Sequence, residues 1–201
     1  IELLQRTYRR EPERFDEHFG ELISSTLHEV GRVGRIVNEF SNFARMPAPN
    51  RQATCLGDLV NSTLVLHEEV SGDISLEATG ASSLSASVDP DQIRQVLTNL
   101  VKNAIEALLE TSTGEGRVEV DLGQETSSDG TVNALVSVSD NGAGMPKETR
   151  ERLFTPYFTT KVGGTGLGLA IVHRIVAEHG GSVEVSPNEP QGTRFTIRLP
   201  V

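Results

Sequence analysis

Phe154-Thr-Pro-Tyr-Phe158-Thr-Thr-Lys161-Val-Gly163-Gly-Thr-Gly166-Leu-Gly168-Leu169 is the stretch on which the fold of this chain turns. Four glycines, Gly163, Gly164, Gly166 and Gly168, fall within six residues and feed a helical pattern that runs from Leu167 to His179. Backbone N–H groups on such a loop, together with the positive end of the next helix, are the usual device for cradling phosphate. Lys161, one of three lysines in the chain, adds a point charge. The stretch has the Gly, Pro and aromatic make-up of a hinged lid, with apolar anchors before Lys161 at Phe154 and Phe158. The stretch is neither a dinucleotide fingerprint nor a P-loop, because no G-x-G-x-x-G follows a strand and G-x-x-x-x-G-K-[ST] is absent.

Two further segments supply complementary chemistry. Val136-Ser-Val-Ser-Asp140-Asn-Gly142-Ala-Gly144-Met reads as a strand ending in a carboxylate and a glycine turn. Asp140 can accept a hydrogen bond from an exocyclic amine, while Gly142 and Gly144 allow a flat ring close to the backbone. Upstream, Asn99-Leu-Val-Lys-Asn103-Ala places two amides four residues apart on one helical face. Their oxygens can coordinate a hard cation and leave the charge to be supplied by ligand phosphates.

The chain around these segments divides at Met46-Pro-Ala-Pro49. Before it, Phe19, Ile23, Thr26, Val30, Val33, Val37, Phe40 and Ala44 follow one another at alternating spacings of four and three. That heptad predicts a helix burying a narrow seam against other helices, and Leu22, Leu27, Ile36 and Phe43 widen it. Ile1–Arg10 reads as the end of a preceding helix and Arg10-Glu-Pro12-Glu as the turn, giving residues 1–46 as a helical hairpin whose first helix is truncated. Such a hairpin closes its core by pairing into a four-helix bundle, which predicts a homodimer. Residues 47–52 form a Pro-rich linker, because proline cannot continue a helix.

From residue 53 onward the expected order is a helix over 56–70, strands over 74–79 and 84–88, and a helix opened by Asp89-Pro90 and running to about 110. Strands over 117–123 and 132–139, a short helix over 147–153 and a closing hairpin of 183–186 with 193–199 complete the pattern. This mixture predicts an α+β, two-layer sandwich with a mixed, largely antiparallel sheet.

Charge restricts the functions available. The 201 residues carry a formal net charge of −10, and 36% of them are apolar. Residues 1–52 hold eight basic and eight acidic side chains, so the surplus belongs wholly to residues 53–201. An acidic domain does not bind nucleic acid or an anionic membrane surface by bulk attraction. Cys55 is the single cysteine, which excludes an internal disulfide and fits a reducing compartment. No run reaches the roughly 18 apolar residues of a membrane span. The chain opens in helical pattern without an initiator Met, and it reads as a cytoplasmic piece of a longer protein whose membrane anchor, where there is one, belongs to other regions.

In order and spacing, Asn99–Ala104, Asp140–Met145, Phe154–Phe158 and Gly164–Leu169 resemble the N, G1, F and G2 boxes of sensor histidine kinases, and Gly192-Thr193-Arg-Phe195 resembles the last box. The resemblance covers about residues 53–201 and implies the Bergerat ATP-binding sandwich. Residues 37–49 look most like the NtrY-like, nitrogen-regulation branch of those kinases. The implied cofactors are ATP and Mg²⁺, with Asn103 as metal ligand and Asn99 nearby. Asp140 would hold the adenine amine with Thr193 assisting, over a floor of Gly142 and Gly144. Gly164, Thr165, Gly166, Leu167 and Gly168 would wrap the phosphates, Lys161 would reach them, and Phe154 and Phe158 would anchor the lid. One departure is Glu106, three residues beyond Asn103, near which many kinases carry a basic residue.

The resemblance also implies a phosphoryl transfer to a histidine, relayed to a response-regulator receiver domain. None of the five histidines has the family's His-[Glu/Asp]-x-x-[Asn/Thr]-Pro setting. His28-Glu29 lacks the Asn/Thr-Pro and falls on the second helix, His18 has no such context, and His67, His173 and His179 read as solvated or capping side chains. The acceptor is expected before Ile1. Related ATPases carry a Glu where this chain has Asn99, and an amide cannot serve as base toward water at pH 7. That favours a kinase over a hydrolase of the same fold. A nucleotide-sensing dimerisation module without kinase activity is the other reading, and it differs in binding nucleotide while forming neither phosphohistidine nor free phosphate.

Overall fold

The computed structural model describes residues 15–110, 115–126, 130–161 and 163–201. They divide into two compact units, one of residues up to Met46 with Lys161–Gly163, the other of Pro47–Thr160 with Gly164–Val201. The expected helix over 1–10 and its turn lie outside the described residues.

In the first unit, α1 spans Phe15–Ala44. Its last backbone bond, from Arg45 N to Ser41 O at 3.0 Å, precedes the Met46-Pro47 break. The seam residues Phe19, Ile23, Val30, Val33, Val37 and Phe40 are all exposed on this helix. Thr26, the one polar member of the seam, donates its hydroxyl to Leu22 O at 2.7 Å and so tolerates an apolar line.

The second unit is a two-layer α/β sandwich. Its elements are β1 (Gln52–Cys55), α2 (Leu56–Ser71), β2 (Ser75–Gly80), β3 (Ser85–Val88), α3 (Pro90–Leu109), β4 (Arg117–Thr126), β5 (Val132–Asp140), α4 (Lys147–Arg150), α5 (Gly168–Glu178), β6 (Ser182–Pro187) and β7 (Thr193–Pro200). The main sheet runs β2-β4-β5-β7-β6, parallel only between β2 and β4. The expected mixed, largely antiparallel sheet is therefore present. β1 is an addition to the expected order; it pairs antiparallel with β3, Gln52 opposite Val88, in a small separate ribbon. The short helix expected over 147–153 ends at Arg150.

Alternation places the core on one face of the sheet. Leu122, Val136 and Ile197 lie opposite one another in register and are buried, as are Val120, Val138 and Phe195. The other face is polar: Arg117 pairs with Glu77 at 2.8 Å, and Arg198 with Glu125 at 2.9 Å. Helices cover the apolar face. α3 packs against both α2 and α5, and buries Ile93, Val96, Leu97, Leu100, Val101, Ala104 and Ile105 at helical spacing. Each of the larger of these side chains, the Ile, Leu and Val residues, contributes about 1.5–3 kcal/mol on leaving water.

The start of α3 is held from three directions. Asp89 Oδ1 accepts from Asp91 N and Gln92 N, both at 3.1 Å, as an N-cap. Its Oδ2 accepts from Asn50 N at 2.8 Å, and its own N–H donates to His179 Nε2 at 3.0 Å. His179 is buried, with Nδ1 2.8 Å from Ile175 O, so it is a structural link between α5 and α3 rather than a solvated side chain. The linker is seated here too: Gln92 Nε2 donates to Pro47 O at 3.0 Å and Arg51 Nη2 to Glu178 O at 2.7 Å. Among the described residues, no helix is long and apolar enough to cross a membrane.

Candidate nucleotide-binding site

The site is built where α3, the end of β5, the start of β7 and the start of α5 meet. Asn99 and Asn103 stand half-buried on one face of α3. Their spacing dictates this, since positions four apart stack on a helix. Gly168, the first residue of α5, faces Asn99: a Cβ there would lie 3.3 Å from Asn99 Oδ1. Asn99 and the last glycine of the loop are thus brought together although 69 residues separate them in sequence.

α5 begins without a side-chain cap. Its first N–H groups have no partner within the helix, which makes its N-terminus chemically suited to an anion. Leu167 is fully buried and fixes the helix start, and Leu167 N donates to Thr165 Oγ1 at 3.4 Å. Gly164 is exposed on the loop, and Thr165 and Gly166 are half-buried. Lys161 divides with the helical unit rather than with this one.

The base-side end is more rigid. Asp140 is buried at 5% exposure, and its Oδ1 accepts from Gly142 N at 2.9 Å and from Thr193 N at 3.2 Å. Two backbone donors on one oxygen fix the plane of the carboxylate. Gly142 sits within reach of α3, a Cβ there meeting Leu108 Cδ2 at 3.5 Å, and Gly144 approaches Gly192 O. Gly192 is required by geometry, with φ 122 and a Cβ that would stand 1.9 Å from Asp140 O. Thr193 is buried at the start of β7, beside Asp140.

Between the two ends lies the segment expected to form a lid. Phe154 stacks on His173 of α5 with ring centroids 5.4 Å apart, and the Arg152 guanidinium lies 4.6 Å over the Phe158 ring. Tyr157 N donates to Gly166 O at 2.9 Å, and Tyr157 itself takes a left-handed backbone at φ 67. Gly166 is the second position where a side chain is excluded, because its Cβ would come 2.5 Å from Tyr157 C. The lid is therefore tied to the phosphate loop by backbone contact as well as by sequence.

Several of these residues are illegible in the sequence. His173 as the ring under Phe154, Asn188 beside Asp140 and the left-handed Tyr157 carry no local motif. Asn188 Nδ2 donates to Asp140 O at 2.9 Å from a turn 48 residues away. Glu106 pairs across α3 with Lys102 at 3.8 Å.

The donor set fits a nucleotide and a hard cation. Among the described residues no cluster of three or more His, Cys, Asp or Glu side chains could hold a metal by itself. An amide oxygen at Asn103 would need phosphate oxygens to complete a shell, as in sites where Mg²⁺ enters with its nucleotide.

Comparison with known proteins agrees with this geometry. Residues 88–201, more than half of the chain, match the family described as histidine kinase-, DNA gyrase B-, and HSP90-like ATPase. The nitrogen regulation protein NtrY of Azorhizobium caulinodans is 35% identical over 201 residues, covering 98% of this chain and 25% of that protein. The sensor histidine kinase ZraS of Escherichia coli K12 is 39% identical over 176 residues, covering 86% of this chain and 36% of that protein. The chain thus spans a quarter to about a third of these relatives. Among solved structures, the catalytic domain of the histidine kinase ThkA superposes with a TM-score of 0.64 at 33% identity, over 75% of this chain and 95% of that one. Full-length ShkA in complex with AMPPNP gives 0.72 at 28% identity, over 89% of this chain and 38% of that one. The chain belongs to the histidine kinase-, DNA gyrase B- and HSP90-like ATPase family, and its second unit is a catalytic domain of the sensor histidine kinase type.

Proposed function

We propose that this chain is the ATP-binding catalytic portion of a sensor histidine kinase. It passes the γ-phosphoryl group of ATP to a histidine outside these 201 residues, for relay to a response-regulator aspartate. In that transfer the bond between the γ-phosphorus and the ADP oxygen breaks, a phosphorus–nitrogen bond forms, and the imidazole proton leaves to a neighbouring base. The observation that carries the reading is the pairing of an amide, Asn99, with the uncapped start of α5 at Gly168. The phosphate end thus offers donors and dipoles but no carboxylate at that position to activate water.

In this reading Asp140 accepts the adenine amine, Thr193 assists, and Gly142 and Gly144 floor the base. Gly164, Thr165, Gly166, Leu167 and Gly168 line the phosphates, with Phe154 and Phe158 seating the lid and Lys161 adding charge. Mg²⁺ at Asn103 would offset charge on the phosphate oxygens. The exposed apolar seam of α1 supports dimerisation with a second copy into a helical bundle. The segment works in the cytoplasm, with any membrane attachment supplied elsewhere in the parent protein.

The test is to supply a separate helical hairpin carrying a His-Glu-x-x-Asn-Pro run, with radiolabelled ATP and Mg²⁺. Acid-labile phosphohistidine on the hairpin is the expected product, and Asn99→Glu should divert ATP toward free phosphate. Steady phosphate release by the unaltered chain with no acceptor present would make it an ATPase instead.

A further inference from the structure

Asp140 ends β5 by leaving the sheet. On the β7 side the ladder stops one step earlier, at Ser139 opposite Arg194. Beyond that step the Asp140 carbonyl meets the turn between β6 and β7. Gly192 lies against it with no side chain, since a Cβ there would overlap the carbonyl oxygen. That close approach lets Asn188 come within reach, and its Nδ2 donates to Asp140 O at 2.9 Å. Asn188 is itself fixed twice: its N–H donates to Gly192 O at 3.0 Å, and Arg194 Nη2 donates to its Oδ1 at 3.3 Å. The Arg194 contact decides which end of the amide faces Asp140. The opposite flank is also pinned, because Asn141 Oδ1 accepts from Arg117 N at 2.7 Å and its Nδ2 donates to Glu115 O at 2.9 Å.

We propose that Asn188 is a positioning residue for base recognition: through the Asp140 carbonyl it sets the direction of the Asp140 side chain toward the exocyclic amine of the bound purine. The proposal rests on the nucleotide-site reading and extends it to a side chain in the β6–β7 turn. The carboxylate takes two backbone donors, Gly142 N and Thr193 N, one from the turn that follows Asp140 and one from the start of β7. A shift of the Asp140 carbonyl therefore moves both donors' geometry and the carboxylate together. A misdirected carboxylate loses the directional hydrogen bond to the amine and leaves contacts with the phosphates unaffected.

The test is a cycle between Asn188→Ala and removal of the 6-amino group from the nucleotide. Binding of ATP and of purine riboside triphosphate, which lacks that amine, is measured by calorimetry with Mg²⁺ on wild-type and variant chains. The expected result is about a tenfold loss of ATP affinity in the variant, with the affinity for purine riboside triphosphate changed less than about twofold. Asn188→Asp keeps the shape but replaces the donor by an acceptor, so it should show the same selective loss should the alanine variant fold poorly. Equal losses for both nucleotides, or no loss for ATP, would overturn the positioning role. A wild-type chain that binds neither nucleotide would refute the nucleotide site itself, an outcome separable from the other two.

Discussion

Replacing Asp89 by alanine tests how the nucleotide-site helix is held. Asp89 supplies three acceptor contacts: to Asp91 N and Gln92 N at 3.1 Å, and to Asn50 N at 2.8 Å. Loss of an N-cap costs about 1 kcal/mol. Loss of a further hydrogen bond to a charged group costs about 1.5 kcal/mol, so the expected destabilisation is about 2–3 kcal/mol. For a domain of this size that is a fall in unfolding midpoint of about 5–10 °C at pH 7.

The effect carries a pH signature. Burial by itself would push the Asp89 carboxyl up, but the backbone donors of Asn50, Gln92 and Asp91 outweigh it, with His179 adding to them, and hold it below its ordinary value of 3.8. A depressed folded value means the contribution is complete above the unfolded value and is lost as pH falls through the folded one. The gap between wild type and Asp89→Ala should therefore narrow in urea unfolding as pH is lowered below about 3.8. Asp89→Asn should recover most of the cap, with a margin over Asp89→Ala that does not change with pH. A variant within about 0.5 kcal/mol of wild type at pH 7, or a gap that persists undiminished in acid, would refute this account of the helix start.

Other consequences are equally direct. Gly192→Ala forces a Cβ onto Asp140 O at φ 122, and should abolish ATP binding and lower stability by about 3 kcal/mol or more, measured by calorimetry and thermal melting. Asp140→Ala should abolish ATP binding with the far-ultraviolet dichroism retained; full retained affinity would remove Asp140 from the site. Val37→Asp places a charge in the exposed seam of α1 and should shift sedimentation toward monomer without changing ATP affinity. Chelation of Mg²⁺ should remove nucleotide binding almost wholly, because a domain carrying the whole −10 surplus has few cations to replace it.

Features governed by neighbours along the chain are legible in the sequence. Asp89-Pro90 announces a helix start because its cap acts over two and three residues, and the cap is there at 3.1 Å. The strands expected over 117–123, 132–139 and 193–199 are likewise there, as β4, β5 and β7. β1 is invisible at that level because four residues, Gln52–Cys55, carry too short a period to register, and their partner β3 begins 30 residues after β1 ends. His179 reads only as a solvated or capping side chain because its bond to Asp89 N spans 90 residues.

The residue types of the site, and the elements that carry them, follow from the order of amino acids alone. Two amides at helical spacing, a carboxylate at a strand end and a glycine run before a helix are chemical statements that require no third dimension. Which of them meet is a matter of packing. Gly168 faces Asn99 and Asn188 holds the Asp140 carbonyl because the helices packed over the apolar sheet face bring the ends of β5 and β7 and the start of α5 to one place. Hydrogen bonds over 48 and 90 residues are fixed in the same way, and packing is a property of the whole domain rather than of any stretch within it.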